Sequence, residues 1–297
     1  MENKRIKLVD DSFCYEILSL IINFLCINDV LKFRLVSKFC NDLFKKEYCF
    51  TNTITLNKLV RNENLKSLNY LKNIKINTRF VIDIGLSYFK QIHTIDLSFC
   101  HQITDKGLSY LKGAHIINLS YCTKITDKGL SYLKGAHTID LEGSNQITDK
   151  GLSYLTEVHT IILHDCFKIT DKGLSYLTGV RSLDISFCYK ITDKGLSCLI
   201  NVHTITLCSS KKITDIGLSY LKGIKNITIR SCTKITDKGL SYLSEVDSIN
   251  IDRCNEITYK GIIYLNKVKN LNVSNCKHIT HIGLAFINYT QRNSLFK

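Results

Sequence analysis

A phrase of the form ITDKGLSYL returns every 22 residues, starting at Val81, Ile103, Ile125, Ile147, Ile169, Ile191, Ile213, Ile235, Ile257 and Ile279. Nothing else in the chain limits its fold so tightly. A unit of 22 residues cannot enclose a hydrophobic core, so each copy must bury its apolar face against its neighbours. Ten copies without an insertion therefore predict a solenoid, running from about residue 72 to the end of the sequence.

Each copy has two halves with different hydrophobic periods. In HTIDLSFC, Ile95 and Leu97 alternate with Thr94, Asp96 and Ser98, and the alternation recurs through Leu271 and Val273. That is a short strand with one buried face. In ITDKGLSYLKG, Leu108 and Leu111 are three apart, behind a Thr104-Asp105 pair able to accept from free N–H groups, and Gly113 stands at the exit. This half predicts a helix of about two or three turns with an N-cap and a glycine C-cap.

Two columns of chemistry-bearing residues travel with the repeat. Cys100, Cys122, Cys166, Cys188, Cys232, Cys254 and Cys276 share one position, with Ser144 and Ser210 in its gaps. A metal ladder or disulfide series would need other spacing, and no CxxC pair occurs, so the column is read as small buried donors leaving the strand. His93, His115, His137, His159 and His203 share a second position, which Arg181, Lys225, Asp247 and Lys269 also occupy. No acidic partner recurs beside these histidines, which argues against a metal site.

Strand, turn, short helix and turn, with the pattern IxLxxCxxITDxGLxxL, resembles the leucine-rich-repeat family in its cysteine-containing subtype, over residues 72–287. The resemblance implies an α/β horseshoe with a parallel sheet on the concave side and helices outside. Three rows of residues would then face the hollow. The first reads Asp96, Asn118, Asp140, Ile162, Asp184, Thr206, Thr228, Asn250, Asn272. The second reads Ser98, Ser120, Glu142, His164, Ser186, Cys208, Arg230, Asp252, Ser274, and the third Phe99, Tyr121, Gly143, Asp165, Phe187, Ser209, Ser231, Arg253, Asn275. Aromatic and arginine side chains are common anchors of interfaces, so Phe99, Tyr121, Glu142, Asp165, Phe187, Arg230 and Arg253 are the expected substrate-binding residues.

Residues 1–50 break the pattern. Ile17, Leu20, Ile21 and Phe24 form a helical stripe, CIND a turn, and Val30, Leu31, Phe33, Leu35 and Val36 a second apolar group, which predicts a small all-α domain. FCYEILSLIINFL resembles the LPxEILxxIFxxL opening of the F-box family, and NDVLKFRLVSKFCNDL its following DLxxxRxVSKxWxxL stretch. Cys14 and Cys40 stand where the family has Pro and Trp. The whole chain lacks both residue types, which fits the coding bias of an AT-rich genome, such as that of a large DNA virus or a protist. The expected organisation is an F-box-like domain at 1–50, a linker or first irregular repeat at 51–71 and the solenoid at 72–297.

An F-box ahead of cysteine-type leucine-rich repeats implies the substrate-recognition subunit of an SCF-type (cullin-RING) ubiquitin ligase. Phe13, Glu16, Ile17, Leu20, Ile21, Phe24, Leu25 and Val30 would bind a Skp-type adaptor, and the hollow would hold a protein target. The alternatives are a leucine-rich scaffold outside ubiquitin transfer and a nucleic-acid binder. Net charge is +14, and residues 1–50, with eight basic and seven acidic residues, hold one unit of it. The excess lies in lysines such as Lys106, Lys128 and Lys150, each beside an aspartate that offsets it and without interleaved aromatics, which disfavours nucleic acid. His164, Asp165 and Cys166 are adjacent on one strand and form no triad by sequence, so neither an enzyme nor a cofactor is expected. ILSLIINFL is too short to span a membrane, and MENKRIKLVDDSF is no signal peptide, which predicts a cytosolic or nuclear protein.

Overall fold

The computed structural model describes residues 54–57, the first four as backbone alone, together with 72–77, 81–89 and 91–279. Phe13, Glu16, Ile17, Leu20, Ile21, Phe24, Leu25 and Val30, the expected adaptor-binding residues, lie outside the described residues.

Eleven strands form one sheet in chain order: β1 (Ile54–Asn57), β2 (Asn73–Asn77), β3 (Thr94–Asp96), β4 (Ile116–Asn118), β5 (Thr138–Asp140), β6 (Thr160–Ile162), β7 (Ser182–Asp184), β8 (Thr204–Cys208), β9 (Asn226–Arg230), β10 (Ser248–Asp252) and β11 (Asn270–Ser274). Every pairing is parallel. The register keeps like positions abreast: Ile95, Ile117, Ile139 and Ile161 lie side by side and are buried, as are Leu97, Leu119, Leu141 and Leu163 beyond them. This is the leucine-rich-repeat solenoid. The sheet starts at Ile54, within the stretch read as a linker or irregular first repeat.

The helices are shorter than expected. From α1 (Asp83–Leu86) and α2 (Asp105–Leu108) to α9 (Tyr259–Ile263), each is a single turn of four or five residues. Beyond it the chain continues on i→i+3 bonds: Tyr110 N–H to Gly107 O at 3.1 Å, Leu111 to Leu108 at 3.0 Å, and Ala114 to Leu111 at 3.0 Å. Leu108, Leu111 and Ala114 are all buried, and their spacing of three matches the three residues per turn of such a helix better than the 3.6 of an α-helix. The glycine exit is likewise partial. Gly113 (φ 88°) and Gly223 (φ 86°) are left-handed there, whereas Gly135 and Gly179 are not.

The threonine and aspartate of each phrase do different jobs. Thr104 Oγ1 accepts from Lys106 N–H at 3.3 Å and caps its own helix. Asp105 instead reaches into the next copy, where Oδ1 accepts from Thr126 N–H at 2.8 Å and Oδ2 from the Thr126 hydroxyl at 2.6 Å. The same pair of bonds recurs from Asp83–Thr104 to Asp237–Thr258. Each carboxylate therefore ties two copies together with charge-assisted bonds worth about 1.5 kcal/mol or more. The glycine of the phrase makes room for it: a Cβ on Gly151 would stand 2.5 Å from Asp127 Oδ1.

Candidate functional site

The concave rows divide into two regions. In the first, Asp96, Asn118, Asp140 and Asp184 turn Oδ1 back to accept the N–H two residues on, from Ser98 (2.9 Å), Ser120 (2.8 Å), Glu142 (2.9 Å) and Ser186 (2.8 Å). These local turns compete with the strand, and β3, β4, β5 and β7 end at the residue that makes them. β6 ends at Ile162, flanked by two strands of that kind. From β8 onward Thr206, Thr228, Asn250 and Asn272 occupy the row, no such turn is made among the described residues, and the strands extend to five residues.

The third row holds a backbone feature that its residue types conceal. Phe99 (φ 61°), Tyr121 (58°), Gly143 (66°), Asp165 (59°), Phe187 (59°), Ser209, Ser231, Arg253 and Asn275 (53° each) are all left-handed. For residues other than glycine this costs roughly 1–2 kcal/mol each. The turn is kept because, from Phe99 to Arg253, each of these N–H groups then meets a carbonyl of the next copy, as from Phe99 to Ser120 at 2.9 Å and from Tyr121 to Glu142 at 2.7 Å. Only the glycine, aspartate and asparagine in this row hint at it from sequence.

Phe99 is 53% exposed, and its ring stacks on Tyr121 with centroids 4.8 Å apart. Tyr121 lies across Gly143, where a Cβ would meet its ring at 2.7 Å, and its hydroxyl donates to Glu142 Oε1 at 2.8 Å. That bond, aided by burial, raises the phenol pKa above its ordinary value. Phe187 packs against His164 at 5.0 Å, and His164 Nε2 lies 3.7 Å from Asp165. The expected residues Phe99, Tyr121 and Glu142 are thus brought together, with Asp165 and Phe187 forming a second group. Arg230 and Arg253 stand apart on later repeats, and Arg230 is engaged within the fold, its Nε 3.1 Å from Asp252.

The charges of the two regions differ more than their residue types suggest. Burial lifts the Asp140 pKa, and Glu142, Asp96 and Asp184 add to the rise, with the Glu142 N–H opposing. Among the described residues no ion pair involves Asp140, Glu142 or Asp184. Asp96 differs in having Lys75 beside it at 2.7 Å. Burial pushes its pKa up, but the lysine and Ser98 bring it below the ordinary value. In the later region Asp252 accepts from Asn275 (2.7 Å) and Ser274 (2.9 Å). The Asn275 bond leads in holding its pKa down, with Ser274, Arg253 and Arg230 helping against burial.

The repeated columns serve the scaffold. The thiols of Cys122, Cys166, Cys188 and Cys232 donate to strand carbonyls of the preceding copy at 3.0–3.2 Å. Burial raises all four pKa values, to about 12 for Cys122, Cys188 and Cys232. The Cys166 thiol is buried and engaged by the Leu141 carbonyl. Ser144 and Ser210 keep the position, but their buried hydroxyls find no partner, as expected of a side chain with the shorter C–O bond. The rings of His93, His115, His137 and His159 form a ladder with centroids 4.7, 5.1 and 5.4 Å apart. Among the described residues no three His, Cys, Asp or Glu side chains converge as metal ligands.

Lys106, Lys128, Lys150, Lys172 and Lys194 are exposed on the helical side. The aspartates beside them accept from the threonines of the next copy. Among the described residues no helix is long and apolar enough to cross a membrane.

Comparison with known proteins agrees with this architecture. An F-box domain model matches residues 11–52, and a leucine-rich-repeat model matches residues 92–112, 115–134 and 179–199. No curated protein matches the chain. Among solved structures, a chain in the yeast Rad7–Elc1 complex is 16% identical, with 94% of this chain and 86% of that one covered and a TM-score of 0.64. An internalin of Listeria monocytogenes is 18% identical over 92% of this chain and 78% of its own, with a TM-score of 0.57. A chain in the TLR13–ssRNA13 complex is 14% identical over 80% and 37%, with a TM-score of 0.60. At such identities the likeness is one of fold.

Proposed function

We propose that the chain is the substrate-recognition subunit of an SCF-type (cullin-RING) ubiquitin ligase. Residues 11–52 would bind a Skp-type adaptor through Phe13, Glu16, Ile17, Leu20, Ile21, Phe24, Leu25 and Val30, while the concave face holds a target protein. The observation that carries this reading is the order of the two matches, an F-box domain ahead of leucine-rich repeats in one chain. Such a subunit forms no bond itself. It raises the local concentration of a target lysine beside a ubiquitin-charged enzyme. The anchors on the target's side are Phe99, Tyr121, Glu142, Asp165 and Phe187, with Arg230 and Arg253 on the later repeats. A cytosolic or nuclear setting belongs to the same reading.

Co-purification of the full chain with a Skp-type adaptor tests it. The adaptor should be retained by the full chain and lost when residues 1–52 are deleted, with the far-UV spectrum of the repeats unchanged. A folded full chain that retains no adaptor would overturn the reading. It would favour the second one, an interaction scaffold outside ubiquitin transfer, which Cys14 and Cys40 at the family's Pro and Trp positions support. Nucleic-acid binding on the concave face is opposed by the carboxylates of its first region.

A further inference from the structure

We infer that the segment received by the concave face is cationic, a polyproline II-like stretch with lysine or arginine at about every third residue, and that it lies across β4–β7 rather than β8–β11. The inference deepens the receptor reading and rests on it in one respect, that the occupant is part of a target protein.

The chain itself shows what this face requires. Lys75 occupies the first-row position of β2, directly abreast of Asp96 on β3, and closes a 2.7 Å ion pair with it. With that cation in place the Asp96 carboxyl sits below its ordinary pKa. Two strands further on, Asp140 has Asn118 and Ile162 as its neighbours. Among the described residues no cation reaches it, and burial together with Glu142, Asp96 and Asp184 destabilises its charged form. Asp140 is in the position of Asp96 without its lysine. A ligand cation placed there would do what Lys75 does one row earlier. β9 and β10 make no such demand, because Arg230 and Asp252 already satisfy one another at 3.1 Å.

The geometry also sets the spacing. Adjacent strands lie about 4.8 Å apart, so Asp140 and Asp184 are separated by roughly 10 Å across the sheet. A segment in the polyproline II conformation rises about 3.1 Å per residue with three residues per turn, so every third side chain shares one face and stands roughly 9 Å from the last, over the two carboxylates. Ile162, between them in the row, meets the intervening part of such a segment. Phe99, 53% exposed at one margin and backed by the Tyr121 ring, offers its outer face to a further cation.

The probe is a fluorescein-labelled peptide of about ten residues with lysines at every third position, titrated with the full chain and followed by anisotropy. Comparison peptides carry the same lysines in one block, or glutamates in their place. The spaced-lysine peptide should bind most tightly, weaken as salt rises, and lose about tenfold or more against the variant Asp140→Asn/Glu142→Gln/Asp184→Asn. That variant keeps the local bonds, since Asn118 already makes the same turn with Ser120 at 2.8 Å. Asp252→Asn should leave affinity within about twofold, since that carboxylate lies on the later repeats and is already engaged by Arg230, Ser274 and Asn275. Unchanged binding by the triple variant, equal loss from Asp252→Asn, or equal binding of the glutamate peptide would overturn the inference. Adaptor capture is scored on the same preparations. Peptide binding without adaptor capture would support the cationic chemistry and sink the ligase reading; adaptor capture without peptide binding would sink the inference alone.

Discussion

The repeats of β3–β7 and those of β8–β11 share one scaffold and differ in what they leave unsettled. In both, the same aspartate–threonine bonds join neighbours, the same cysteine position is buried, and the same left-handed residue follows the strand. Yet in the first region Asp140, Glu142 and Asp184 lack a counter-ion among the described residues, while in the second Arg230, Asp252, Ser274 and Asn275 satisfy one another. The comparison separates two tasks of a repeat protein. Copied letters build the surface, and charges left uncompensated in a few uncopied letters are where a partner can gain most.

The sharpest way to probe the shared half of that comparison is to break the scaffold in each region. Gly151→Ala in the first and Gly239→Ala in the second would each drive a Cβ into the aspartate that ties two copies. Each should cost about 2–3 kcal/mol in urea unfolding, by the same mechanism and to the same extent. A large difference between them would mean that the two regions are not built alike.

A smaller effect, of opposite sign in the two regions, is expected from neutralising one carboxylate. Asp252 has a lowered pKa, so its contribution is present above the unfolded carboxyl value of 3.8 and is lost as pH falls through the folded value. Asp252→Asn should therefore lower stability by about 1 kcal/mol at neutral pH, with the deficit closing in acid. Asp140 has a raised pKa, so its charge opposes folding above the folded value, and that penalty disappears below 3.8. Asp140→Asn should be neutral or stabilising at pH 7 and show no gain in acid, as read by thermal melts across pH.

Removing Lys75 should make Asp96 resemble Asp140. Lys75→Ala is expected to tighten the spaced-lysine peptide by about twofold to fivefold, because the ion pair it removes is partly exposed. Weaker binding would show that Lys75 contributes contacts of its own. The smallest difference should appear in the cysteines: Cys122, Cys188 and Cys232, raised to about 12, should resist alkylation in the native state in both regions, with the partly exposed Cys198 reacting first among the described cysteines.

Much of the fold was legible because periodicity reports burial directly. Ile95/Leu97 and their copies had to share one face, and a repeat without insertions left one way to stack them. The helix length was misjudged because Leu108 and Leu111, three apart, fit an α-helix and a tighter i→i+3 helix equally well until Ala114 is seen buried beside them. The reach of Asp105 into the next copy was hidden behind its obvious local use at a helix start. The carboxylates of the first row were visible as a column, but their state was not. Whether Asp96 or Asp140 has a counter-ion depends on the residue abreast of it in another copy, Lys75 in one case and Asn118 or Ile162 in the other. The pairing of Arg230 with Asp252 was hidden in the same way, since Asp252 comes from the next strand.

The most direct measurement joins the two ends of the account. A Skp-type adaptor is fixed to beads, the full chain is added, and retention of chain and of the labelled spaced-lysine peptide is scored together. The account predicts that the peptide is held only when the chain is present, and that Asp140→Asn/Glu142→Gln/Asp184→Asn leaves the chain on the beads while the peptide is lost. A folded chain that washes away from the adaptor, or a peptide held equally by the triple variant, would contradict it.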